Sequence, residues 1–144
     1  MSQARSIRIL IADDHPVVRQ GLTTILEQES NMTVVGQARD GCEAVDMFRQ
    51  HQPDVMLMDL RMPEMDGVDA IKAICAEFNS ATIVVLTTFD GDEDIYRGLQ
   101  AGAQGYLLKD AGAEELLAAI RNCRTNMPVL QNLKSRRPTQ IGSR

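Results

Sequence analysis

Short apolar runs rich in β-branched residues alternate along this chain with longer segments whose apolar residues recur every three to four positions. The runs Ile7–Ala12, Thr33–Ala38, Val55–Met58, Thr82–Leu86 and Gly105–Leu108 predict strands. The segments between them predict helices. The first opens on Pro16, in the favoured first-turn position, and repeats Val18, Leu22, Ile25 and Leu26. Gly41–His51 carries Ala44, Val45 and Phe48, and a third segment repeats Ile71, Ile74, Cys75 and Phe78. Asp92–Ala101 (Ile95, Leu99) and Ala113–Arg124 (Leu116, Leu117, Ile120) complete the series. Strands that each lead into a helix need crossover connections, so the pattern implies a parallel sheet covered by helices on both faces. The fold class is an open α/β sheet, and such sheets bind ligands outside the carboxyl ends of their strands.

Composition narrows this picture without changing it. A chain of 144 residues with 44% hydrophobic and 24% charged positions suits one domain with one core. No apolar stretch approaches the roughly 18 residues of a membrane span, and the first residues show no secretory signal, so the cytoplasm is the expected compartment. Residues 1–125 hold all 20 acids against 11 Lys and Arg, a net of −9, whereas residues 126–144 hold four cations and no acid. The acidic part is a poor surface for nucleic acid, which needs an excess of cations. Cys42, Cys75 and Cys123 are widely spaced and odd in number, which fits neither disulfide nor zinc spacing; they are expected as buried or half-buried helix residues.

The chemistry gathers at the predicted strand ends. Asp13 and Asp14 follow the first strand, Asp59 the third, Thr87 the fourth and Lys109 the fifth. Pro63 stops any helix or central strand from continuing through Arg61–Gly67, which sets Asp59 at a strand-to-loop junction. If the first and third strands are neighbours, three carboxylates share one crevice and require a neutralising charge. A divalent cation such as Mg²⁺ supplies it, Lys109 adds a point cation and Thr87 a hydroxyl, a set suited to phosphoryl chemistry with Asp59 as nucleophile.

These residues, with the segment Met58-Asp59-Leu60-Arg61-Met62-Pro63-Glu64-Met65-Asp66-Gly67, resemble the receiver domain of two-component response regulators across about residues 6–125. The segments Asp13-Asp14-His15-Pro16-Val17-Val18-Arg19-Gln20-Gly21-Leu22 and Gly102–Asp110 are similar to those of the NarL/FixJ (LuxR-type) class. The resemblance implies a flavodoxin-like (βα)5 doubly wound five-stranded parallel sheet of order 2-1-3-4-5. It implies that Asp59 accepts a phosphoryl group from a sensor histidine kinase, with Mg²⁺ held by Asp14, Asp59 and the Arg61 backbone carbonyl, and by Asp13 through water. Thr87 and Tyr106 are then the switch pair, and homodimers on phosphorylation are implied. Such regulators reach DNA through an output domain, for which residues 126–144, a basic linker or tail, are too short. The expected role is a phosphoaccepting signalling domain rather than an enzyme. A stand-alone receiver or phosphorelay intermediate is the alternative.

A Mg²⁺-dependent phosphohydrolase with an aspartyl-phosphate intermediate is disfavoured, because Arg61 stands where such enzymes usually place a second acid. A flavodoxin-like binding module lacks the glycine or hydroxyl residues of a phosphate cradle after the first strand. Asp13 and Asp14 taken alone read as helix caps, and His15 as a solvated or hydrogen-bonded side chain. Arg39-Asp40-Gly41 reads as a turn and N-cap, Asp66-Gly67 as a turn into a helix with no chemistry, and Thr87–Asp94 as a mobile loop. Asp110 stands where many receivers have proline, often in cis; a cis non-proline bond costs roughly 2.5–4 kcal/mol, so the isomer of Lys109–Asp110 falls to the structure.

Overall fold

The computed structural model describes residues 6–88 and 92–124. Five strands alternate with five helices: β1 (Ile7–Ala12), α1 (Pro16–Glu27), β2 (Met32–Ala38), α2 (Gly41–His51), β3 (Val55–Asp59), α3 (Gly67–Glu77), β4 (Ile83–Thr87), α4 (Asp92–Ala101), β5 (Gly105–Leu108) and α5 (Ala113–Arg124). The strands pair in parallel in the order β2-β1-β3-β4-β5, as the resemblance implied.

Burial follows position in the sheet. Every residue of β3, β4 and β5 is buried, the signature of strands covered on both faces. Edge strand β2 leaves Thr33 and Gln37 exposed, and its register against β1 slips at Ile9/Leu10, where Leu10 pairs with Gly36. A bulge of this kind twists an edge away from further pairing. Helices α2, α3 and α4 pack side by side. On α1 and α5, Leu22 and Leu116 line a shared apolar groove of about 200 Å³. Arg121 of α5 also donates to Glu29, just past α1, at 2.7 Å.

Helix starts agree with their local sequence. Pro16 occupies the first turn of α1. Asp40 caps α2 by accepting from the Glu43 N–H at 2.8 Å, and Asp66 caps α3 by accepting from the Asp69 N–H at 3.0 Å. Strand ends required adjustment. Both Asp59 and Thr87 are the last residues of their strands rather than the first beyond them, because their main chains still pair with Leu86 and Leu108 while their side chains turn into the crevice. Asp92, Glu93 and Asp94, read both as loop and as helix, form the first turn of α4; residues 89–91 of that loop, and the basic segment 126–144, lie outside the described residues. Cys42 is exposed, against expectation, because it falls on the solvent side of α2; Cys75 is half-buried and Cys123 buried. There is no cis peptide bond among the described residues, so Lys109–Asp110 is trans.

Candidate phosphoacceptor site

The parallel register stacks the polar strand ends. Ala12 is level with Met58, which sets Asp13 beside Asp59; Thr87 lies one position further along, and Lys109 donates its N–H to the Thr87 carbonyl at 2.8 Å. Three neighbouring strands therefore bring the acids and Thr87 to one end of the sheet, beside a cleft of about 140 Å³ lined by His15, Asp59, Arg61, Thr87, Asp94 and Lys109 among others.

Asp13 is fully buried and Asp59 is 4% exposed, while Asp14 is only half-buried. Lys109 Nζ stands between the two deep carboxylates, 3.2 Å from Asp13 Oδ2 and 3.3 Å from Asp59 Oδ1. One ammonium cannot neutralise three acids. Burial, and after it the Asp13 charge, pushes the Asp59 carboxyl above the ordinary aspartate range, against the opposing pull of Lys109. Asp59 Oδ2 and Thr87 Oγ1 are buried without a hydrogen bond. Asp13 Oδ2 and Asp14 Oδ1 also lack hydrogen bonds; Lys109 Nζ stands close to the first, and His15 Nδ1 lies 3.1 Å from the second. Buried polar atoms are almost always satisfied, so this cluster of orphans marks a place built for a ligand. Oxygen donors from Asp13, Asp14 and Asp59, with His15 Nδ1, lie within 4.8 Å of one another, a set able to hold a hard divalent cation.

Asp13 and Asp14 do not cap α1. Its N-cap is His15, without a side-chain cap bond; Asp13 Oδ1 instead accepts the His15 N–H at 2.8 Å and sits 2.9 Å from Nδ1. The Asp13 carboxylate is thereby held among the clustered oxygens of Asp14 and Asp59. The floor is equally constrained. The loop after Asp59 closes through the Gly67 N–H to the Leu60 carbonyl at 2.8 Å, with Glu64 at φ 68°. A Cβ on Gly67 would strike the Asp59 carbonyl and approach Leu60 Cα to 2.6 Å, and one on Gly41 would strike the Met65 carbonyl.

Of the residues singled out from the sequence, Asp13, Asp14, Asp59, Thr87, Lys109 and Arg61 are brought together here. Tyr106 does not line the cleft; its ring is buried on β5, in register with Val85. Sequence reasoning missed Gly67, whose need for close approach depends on what lies behind it. It also missed the pairing of the Arg61 side chain with Asp94, since no local pattern links residues 33 apart. His15, read as a solvated or hydrogen-bonded side chain, is both: exposed at the cleft and 2.9 Å from Asp13 Oδ1.

Residues 9–121 match the family model for the response regulator receiver domain. The chain belongs to the response regulator receiver family. Relatives of this receiver are NarL/LuxR-type regulators. The transcriptional regulatory protein YxjL of Bacillus subtilis is 46% identical over 115 residues, 80% of this chain and 53% of YxjL. LiaR of the same organism is 44% identical over 126 residues, 88% of this chain and 60% of LiaR. The signal receiver domain of the response regulator NarL from Mycobacterium tuberculosis superposes with a TM-score of 0.79 at 35% identity, covering 83% of this chain and 97% of that one. The receiver thus spans little more than half the length of the curated relatives it matches. No described helix is long and apolar enough to cross a membrane.

Proposed function

We propose that this receiver accepts a phosphoryl group on Asp59 from a phosphohistidine of a sensor kinase and transmits its presence through Thr87 and Tyr106. The observation that carries this reading is the pair of orphaned oxygens, Asp59 Oδ2 and Thr87 Oγ1, in a cleft where Lys109 bridges two buried acids. A carboxylate oxygen of Asp59 attacks phosphorus, the P–N bond breaks, and its electron pair returns to the imidazole of the donor. Asp59 is suited to this step because it is buried yet unpaired on one oxygen, so attack forfeits no hydrogen bond there. Lys109 neutralises charge on the transferred group.

Asp14, Asp59 and the Arg61 backbone carbonyl, with Asp13 through water, would hold Mg²⁺, which supplies charge neutralisation for the phosphoryl oxygens. The cluster of hard oxygen donors supports this assignment. Thr87 Oγ1 would donate to a phosphoryl oxygen. Tyr106 is already enclosed, so phosphorylation would act by holding an inward arrangement that the free protein samples. The relatives' descriptions as transcriptional regulatory proteins support control of transcription. A cytoplasmic location, DNA reached through a further domain and homodimers favoured on phosphorylation belong to the same proposal. Acetyl phosphate with Mg²⁺ tests the core of this reading: intact mass rises by one phosphoryl group in the native chain and not at all in Asp59→Asn. Undiminished gain in the variant would place the acceptor elsewhere.

A further inference from the structure

A chain of charges ties the loop that follows Asp59 to α4. Asp94, in the first turn of α4, is 6% exposed although ionisable. Arg61 grips both of its oxygens, with Nε to Oδ2 at 2.8 Å and Nη2 to Oδ1 at 3.1 Å. Arg97, the next turn along, lies 3.6 Å from Asp94 Oδ1 and 3.9 Å from Oδ2 of Asp66, the residue that caps α3. Both ends of the loop from Arg61 to Asp66 are therefore fastened to one helix.

The link is asymmetric, and this shows what it is for. The Arg61 side chain is 79% exposed, like an ordinary surface arginine, whereas the Asp94 side chain is 9% exposed. A buried carboxylate is tolerated only with good partners, and the planar fork of arginine supplies two parallel bonds that lysine cannot. The restraint falls on a main chain that needs one: the Arg61 N–H meets Asp59 Oδ1 only at 3.4 Å, a loose contact at the phosphoacceptor itself.

Resting on the reading of Asp59 and its acids as a cation and phosphoryl site, we infer that Asp94 is a positioning residue. Through the Arg61 side chain it fixes the backbone beside Asp59 in the arrangement that receives the cation. The coupling is reciprocal, so filling the site steadies the first turn of α4. Side chains that orient ligating groups without touching the ion commonly set metal affinity by roughly 10-fold or more.

The test uses the full 144-residue chain. Asp94→Asn is isosteric, and Arg61→Gln keeps the backbone carbonyl. Mg²⁺ affinity, from an amide NMR titration, should fall about 10-fold in each single variant and no further in the double variant, since both break one link. In the native chain Mg²⁺ should slow amide exchange at residues 92–98, and in the variants it should not. Metal-free melting temperature serves as the folding control. Native affinity in both single variants overturns the inference, as does an additive loss in the double variant. A native chain without any response to Mg²⁺ overturns the reading of the site, and the inference with it.

Discussion

The two ends of the same strands treat polar groups in opposite ways. Where β1 and β3 begin, Asp54 accepts the Arg8 N–H at 2.8 Å, and the Asp54 N–H donates to the Arg8 carbonyl at 2.8 Å. The Arg8 guanidinium donates to the His51 and Gln52 carbonyls at the end of α2 at 2.7 and 3.1 Å, a cation where the helix dipole is negative. Where those strands and β4 finish, Asp13, Asp14, Asp59 and Thr87 each leave a buried oxygen without a hydrogen bond. Among the described residues, every such orphan lies at this end. Polar groups at the first end close a structure, and at the second they leave a cluster of buried oxygens without hydrogen bonds. Composition does not separate them, since each end holds a cation and at least one carboxylate.

The largest effect on stability should come from crowding the ligand end from behind. Gly67→Ala drives a methyl group into the Asp59 carbonyl and should cost about 3 kcal/mol in urea unfolding while weakening Mg²⁺ binding. An unaltered midpoint would mean that the loop yields freely.

Next is the satisfied end. Asp54→Ala strips the Arg8 N–H of its acceptor and should cost about 1–3 kcal/mol, with Mg²⁺ affinity unchanged. A loss of affinity there would break the division between the two ends.

The opposite sign is expected at Asp59. Removing one of three crowded carboxylates relieves a conflict kept for function, so metal-free Asp59→Asn should gain about 0.5–2 kcal/mol. A loss of stability would show that Lys109 already compensates the cluster.

The smallest signal is the pH dependence of that gain. The native Asp59 carboxyl titrates above its unfolded value of 3.8, so the folded chain holds the proton more tightly. Between those two values the unfolded state binds fewer protons, and the metal-free stability contributed by this group falls as pH rises, levelling off above the native value. Asp59→Asn should lack this component, and identical profiles for the two proteins would remove Asp59 from the balance.

The order of elements, their helix and strand character and the acids, threonine and lysine of the site were legible in the sequence. Periodicity reports which face of each element is apolar, and a polar residue ending an apolar run is visible without a fold. Pro16 and Asp40 could be placed at helix starts for the same local reason. The helical turn of Asp92–Asp94 was harder, because acids suit both a loop and a helix N-terminus. Tertiary structure alone decided the rest. That Lys109 stands between Asp13 and Asp59, that Gly67 backs onto the Asp59 carbonyl, and that Arg61 reaches Asp94 all depend on residues distant in the chain meeting at one place. Local patterns carry propensity and amphipathicity; distances and desolvation exist only once the sheet has set its register, and those quantities determine which polar groups are satisfied and which remain free to react.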